Sequence, residues 1–198
     1  MQPSPLTIAG PSLHNGEVGL AYAAVTYNAV GGSQPYTWSV SMGALPGGLN
    51  ISTDGTISGT PTRSGSFTFT VEVVDAGMAT ANLSGAISVA PRLTVYHVGG
   101  MASHNEMEVC VQAGANNPCP ASDDRYSAFA AVSGGSPPYT YALVSGTLPP
   151  GTRLNGLALT GSFGTIRGVY AFTVSVTDSM GATATIDAIY NLYWLQPR

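Results

Sequence analysis

The chain has 198 residues, a formal net charge of −4 and only 8% charged residues, and its six basic residues are all arginine. Ordinary soluble proteins carry roughly 25% charged residues, so the solvent faces here must be built from Ser, Thr, Asn and Gly. The lack of clustered Lys or Arg argues against nucleic acid as a partner, because phosphates need neutralising. No apolar run approaches the ~20 residues that span a bilayer, which argues against membrane insertion.

Residues 1–5 have neither a positive start nor a following apolar core, so no signal peptide is expected. Two readings follow: a piece of a longer secreted protein, or a whole chain that reaches the outside without secretion, as a virion component released by lysis would. The second is the expectation. Residues 2–9 are predicted as a leading extended segment, in which Leu6 and Ile8 alternate and nearby prolines suit an edge strand. Residues 19–30 form the next strand, with Tyr22, Ala24 and Thr26 expected on one face.

Residues 31–75 then recur as residues 134–178 in a nearly unbroken register. Gly31-Gly32 returns as Gly134-Gly135, Pro35-Tyr36 as Pro138-Tyr139, and Leu45-Pro46 as Leu148-Pro149. Phe67, Phe69, Val71, Val73 and Asp75 return as Tyr170, Phe172, Val174, Val176 and Asp178. A repeat of this length divides the chain into two domains of about 100 residues, a usual sandwich size.

Within each copy, short alternating runs are separated by Gly, Pro, Ser and Asn clusters, the signature of an all-β fold. In residues 66–74 the odd positions are apolar and the even ones mostly polar, which buries one face of a strand and wets the other. Trp38 and its counterpart Tyr141 are predicted to be buried between sheets, with Phe69 and Phe172 on the inner face of a central strand. Asp54-Gly55 marks a turn flanked by core residues Ile51 and Ile57. Asp75 and Asp178 each end a strand before a turn, where an aspartate can bond backbone two residues on. Calcium is the competing role for these acids, but it needs six or more oxygens, usually several carboxylates close in sequence. Asp75 has only Glu72 in its neighbourhood, so the turn-capping role is expected. Asn50-Ile51-Ser52 and Asn82-Leu83-Ser84 match the glycosylation sequon, a short and common pattern read here as coincidence. Residues 80–89 close the first domain, and residues 90–92 form a linker short enough to suggest two sandwiches stacked end to end.

The run GG-x-x-PY-x-W, then LP-x-GL, DG-x-I-SGTP and G-x-F-x-F-x-V-x-V-x-D, resembles the immunoglobulin-like repeats of bacterial and phage surface proteins, relatives of the cadherin-like sandwiches. The resemblance covers residues 5–91 and 125–194. It implies two tandem immunoglobulin-like β-sandwiches, residues 1–91 and 92–198, the second carrying an insertion at about residues 97–125. The second copy departs where Thr160-Gly161-Ser162-Phe163 replaces the Ser-Gly-Thr-Pro turn, so residues 160–167 are expected to deviate. Such modules serve as spacers, adhesins and decorations alike, so the resemblance implies fold more than role.

The insertion holds His97, His104, Glu106, Glu108, Asp123, Asp124 and both cysteines. Insertions on a rigid scaffold are where one copy acquires its own role. Three readings of Cys110 and Cys119 stay open: a disulfide, which suits an extracellular location; two reduced thiols; or a zinc site with His97 and His104, although the paired C-x-x-C spacing is lacking. His14, His97 and His104 fall in predicted loops. No nucleophile elbow, Ser-His-Asp order or glycosidase carboxylate pair is present, so no enzyme, cofactor or metal is expected.

In residues 186–198 both strand faces are apolar: Tyr190, Leu192 and Trp194 on one, Ile189, Tyr193 and Leu195 on the other. One face can be the domain's own core. The other needs cover, either from the insertion or from a partner docked on Tyr190, Tyr193 and Trp194, in one version by strand addition at an open sheet edge. The expected function is a non-catalytic structural or decoration protein of a virion, meeting other capsid, neck or tail subunits. The alternative is an adhesion module of a bacterial secreted or cell-surface protein that recognises a glycan or protein.

Overall fold

The computed structural model describes residues 4–98, 106–110, 129–161 and 167–193. Among them every regular element is a β-strand. The chain divides into two compact units, Met1–Arg92 and Leu93–Arg198.

Unit 1 runs β1 (Thr7–Ala9), β2 (Gly16–Glu17), β3 (Tyr22–Thr26), β4 (Asn28–Val30), β5 (Thr37–Gly43), β6 (Leu49–Ile51), β7 (Thr56–Gly59), β8 (Gly65–Val74) and β9 (Thr80–Ala90). One sheet has the order β2-β9-β8-β5, a second β3-β7-β6, and β1 pairs with β4. The period of two along β8 places Phe69, Val71 and Val73 in the core, in one cluster with Ile57 of the other sheet and with Trp38, which stands beside Val73 in the same sheet. In β3, by contrast, the pairing with β7 slips between Tyr22 and Val25. That irregularity breaks the alternation. Tyr22 is buried and Val25 half-buried, while Ala24 and Thr26, expected beside Tyr22, face solvent.

Unit 2 runs β10 (Thr94–His97), β11 (Glu106–Cys110), β12 (Ala130–Ser133), β13 (Thr140–Gly146), β14 (Thr152–Asn155), β15 (Ala158–Gly161), β16 (Gly168–Thr177) and β17 (Thr183–Tyr193). Its main sheet has the order β11-β17-β16-β13, and β10 pairs with β12 as β1 does with β4. The inner face of β16 repeats that of β8, with Phe172, Val174 and Val176 buried. Even the irregularity of the strand before it recurs, between Val40 and Met42 in β5 and between Leu143 and Ser145 in β13.

Strand β11 lies inside the stretch expected to be an insertion. It runs parallel to β17, as β2 runs parallel to β9. Part of the insertion is therefore the sandwich's own edge strand. The rest of that stretch lies outside the described residues.

The two units differ most at one aromatic position. Trp38 is 6% exposed, whereas Tyr141 is 37% exposed, contrary to the expectation of burial. The cause is the neighbouring hairpin. In unit 1 the Tyr27 amide donates to the Gly55 carbonyl at 2.9 Å, and in unit 2 the Phe129 amide donates to the Leu157 carbonyl at 2.9 Å. Leu157 thus takes the place of Gly55. A Cβ on Gly55 would lie 2.9 Å from Trp38 Cε2, so only glycine lets the indole lie flat there. Leu157 brings a buried side chain instead, and the smaller Tyr141 ring sits outside it, against Gly156. The core of unit 2 gains Leu157 and, opposite Tyr170 as Ile87 is opposite Phe67, the larger Tyr190, which stacks on Phe172 at 5.8 Å. The departure of the second copy is thus visible in the hairpin before Gly161; of residues 160–167, where it was expected, Gly161 pairs with Thr152 as Gly59 does with Leu49, and residues 162–166 lie outside the described residues.

Truncating the two aromatic residues should therefore have unequal effects. Trp38→Ala is expected to destabilise unit 1 by about 3–5 kcal/mol through lost burial and a residual cavity. Tyr141→Ala should cost unit 2 about 1 kcal/mol or less, as for a surface position. Denaturant titration followed by near-ultraviolet circular dichroism would measure both. Equal losses would show that the Gly55/Leu157 exchange does not decide where the ring sits.

Candidate functional site

The residues that recur most faithfully converge at one end of each sandwich. Asp75 follows β8 and opens the turn to β9. Its Oδ1 accepts the amides of Gly77 at 2.9 Å and Ala79 at 2.8 Å. Its Oδ2 accepts the Ser33 amide at 2.8 Å, from the loop between β4 and β5. The Ala76 amide returns a bond to the Ser33 carbonyl at 2.9 Å. One carboxylate therefore closes its own turn and ties that turn to a loop 42 residues earlier.

Unit 2 repeats the arrangement. Asp178 Oδ1 accepts the amides of Met180 and Ala182, each at 2.9 Å, and Oδ2 accepts the Ser136 amide at 2.7 Å. The tyrosine of each Pro-Tyr pair braces the same loop. Tyr36 donates to the Gly31 carbonyl at 2.6 Å and Tyr139 to the Gly134 carbonyl at 2.7 Å. The second glycine of the pair lies against the acid: a Cβ on Gly32 would sit 2.6 Å from Asp75 Oδ2. The repeated Gly-Gly, Pro-Tyr and Asp are thus parts of one device, and in both units the peptide before the proline is cis.

Electrostatically the device suits an anion held by amides. The Ser33 and Ala79 amides, with Gly77, hold the Asp75 carboxyl below the usual carboxylate range, against the opposing effect of burial. Three N–H groups converge on the carboxylate, so the oxygens that a calcium ion would need are already accepting bonds. Glu72 does not join it. That residue stands in register with Ser39 and Asn82, three residues before Asp75. The aspartates therefore act as turn caps.

The other sequence-predicted residues disperse. Tyr190 is 2% exposed and belongs to the core of unit 2, where burial pushes its phenol well above the usual tyrosine range. This corrects its assignment to a partner contact. Strand addition along Ile189 to Leu192 is also corrected, because β17 is bonded there to β16 on one side and to β11 on the other. Of the second apolar face, Ile189 is half-buried. The side chain of Tyr193, and Trp194 as a whole, lie outside the described residues. Cys110 pairs through its backbone with Tyr193; its side chain and all of Cys119, and with them all three readings of the cysteine pair, fall outside, as do His104, Asp123 and Asp124.

His14 has a structural part, with Nε2 at 2.9 Å from the Ala23 carbonyl and its ring 4.1 Å from that of Tyr22. His97 ends β10. Sequence reasoning missed Glu17, a carboxyl 1% exposed in β2. A two-residue strand has no periodicity to reveal that an acid in it faces inward.

The turn after Asp75 contains a further irregularity. Met78 has φ of +65° and is 80% exposed, whereas the corresponding residue of unit 2 is Gly181, with φ of +87°. A side chain in the left-handed region costs roughly 1–2 kcal/mol, partly offset by the extra freedom glycine gives the unfolded chain. Met78→Gly is thus expected to stabilise unit 1 by about 0.5–1 kcal/mol, read as a raised denaturation midpoint.

Acid should act on the same turn. Because the folded-state pKa of Asp75 is lowered, its contribution is complete above the unfolded-state value of about 3.9 and is lost as pH falls through the folded-state value. Asp54, also held low by Ser52 and Thr56, adds its own slope. Asp75→Asn should therefore lower stability at neutral pH and flatten the acid loss only in part. The comparison of wild-type and variant midpoints from pH 7 down through the carboxylate range measures this. A variant profile that runs parallel to the wild type down to the most acid points contradicts the lock.

Comparison with known proteins bears on the repeat. No curated protein matches the sequence. Among solved structures, the protocadherin GammaB4 extracellular domain is similar over 97% of this chain and 34% of its own, at 13% identity and a TM-score of 0.48. Drosophila N-cadherin EC1-4 is similar over 96% of this chain and 50% of its own, at 12% identity and a TM-score of 0.32. A structure titled as a putative alpha-galactosidase from Bacteroides fragilis is 24% identical over 41% of this chain and 17% of its own, with a TM-score of 0.34. The chain thus spans about a third and a half, respectively, of these two cadherin chains. The family model described as "Putative Ig domain" matches residues 5–90 and again residues 111–192. The two matches take in most of the sequence, and the chain belongs to that family, of which it carries two tandem copies.

Proposed function

We propose that the chain is a non-catalytic structural module of an extracellular assembly, most concretely a decoration, neck or tail component of a virion. The observation that carries this reading is the use to which its polar groups are put. The repeated acids are spent on backbone amides. Hydroxyls along the main sheets donate to polar side chains on other strands: Ser41 to Asn82 Oδ1 at 3.0 Å, Ser145 to Thr173 Oγ1 at 2.8 Å, and Thr173 to Asp187 Oδ1 at 2.7 Å. Such ladders stiffen a sheet and leave a surface of very low charge, which suits a rigid spacer or cover. Among the described residues no group of three His, Cys, Asp or Glu could hold a metal ion, and no helix is long and apolar enough to cross a membrane.

The second reading, an adhesion module of a bacterial secreted or cell-surface protein, is favoured by the exposed Tyr141, Leu143 and Val144 along β13. Its ligand would be a protein or a glycan. Immunogold electron microscopy of the source material, with antibody raised against the purified chain, separates the two. Label at regular positions on particles is the expected result. Label on the cell envelope supports adhesion instead, and label confined to the cell interior would overturn both.

A further inference from the structure

The sequence contains two Asn-Gly pairs among the described residues, Asn15-Gly16 and Asn155-Gly156, and the fold treats them differently. Asparagine followed by glycine is prone to cyclise, because no side chain hinders attack of the next amide on the asparagine side chain. The attack needs a free amide and a backbone able to swing. Gly16 is buried in β2, in register with Val89, and a Cβ there would lie 3.3 Å from Pro61. Asn155 ends β14 on the exposed side of a tight turn. Gly156 follows with φ of +62°, outside the ladder, and among the described residues no acceptor takes its amide.

We propose that Asn155 is a site of spontaneous modification, converting to aspartate and isoaspartate through a succinimide with Gly156, while strand β2 protects Asn15. The Gly156 amide nitrogen attacks Asn155 Cγ. The new N–Cγ bond forms as the Cγ–Nδ2 bond breaks, the amide proton passes to Nδ2, and ammonia leaves. Water then opens the ring. Addition at Cγ gives aspartate; addition at the backbone carbonyl carbon gives isoaspartate, with the extra methylene now in the main chain. The nitrogen regains a proton in either case, and no cofactor is needed. The product adds one negative charge to a formal net charge of −4. That charge arises beside the exposed Tyr141 ring, which lies 4.0 Å from the Cβ position of Gly156. Modification would therefore change the charge and the turn geometry of the surface that β13 presents.

The test ages the full chain at mildly alkaline pH and maps it by mass spectrometry. Trypsin isolates Asn155 in the peptide of residues 154–167, and cleavage after Glu17 isolates Asn15 in the peptide of residues 1–17. In the folded chain, the mass gain of an amide-to-acid conversion should accumulate at Asn155 as two chromatographic isomers. The gain at Asn15 should be slower by about tenfold or more, because cyclisation there waits for β2 to open. In denaturant the two sites should react at similar rates, which identifies folding as the cause of the difference. Asn155→Gln should abolish the gain in its peptide. Equal rates in the folded chain, faster reaction at Asn15, or no conversion at Asn155 would each overturn the proposal.

Discussion

A single carboxylate, after β8 in one sandwich and after β16 in the other, joins its own turn to a loop 42 residues earlier in the sequence. Asp75 receives amides from its own turn and from Ser33, and Asp178 receives them from its own turn and from Ser136. A buried amide without a partner costs more than a made bond returns. Two loops that must approach each other at a sandwich end therefore need an acceptor between them. An ionised carboxylate supplies it with charge-assisted bonds, and the glycine pair, the tyrosine brace and the turn all take their geometry from it.

The same lock limits what these acids can do. In a neighbourhood of converging amides, a carboxylate is already neutralised by dipoles, and a cation would have to displace them. The chain thereby turns its most conspicuous acids into fold-defining groups, and its surface is left to hydroxyls.

Differences between the two units come in matched pairs. Gly55 with Trp38 in unit 1 is answered by Leu157 with Tyr141 in unit 2, so that one core holds the ring and the other sends it outward. Met78 in unit 1 is answered by Gly181 in unit 2 at a left-handed position. The turn at Met78 keeps its course and differs in strain, whereas the hairpin is rebuilt, Ile51 pairing with Ile57 in unit 1 and Leu154 with Leu159 in unit 2.

The sequence by itself determined the all-β class, the tandem repeat and the inner faces of β8 and β16, because a period of two and an internal copy are local signals that need no partner to be read. It also placed Asp75 and Asp178 in turns, and the recurrence of Gly-Gly and Pro-Tyr beside them marked the parts of the lock. Only the tertiary structure decided that Ser33 and Ser136 complete that lock, since their contribution is a backbone amide and leaves no trace in residue type. It decided that Tyr141 lies outside the core, because the answer depends on a hairpin residue from another part of the chain. It decided that Tyr190 faces inward, and that β11 and β16 flank the tail strand. Two apolar faces on a strand demand two covers, but only long-range pairing says which chain provides each.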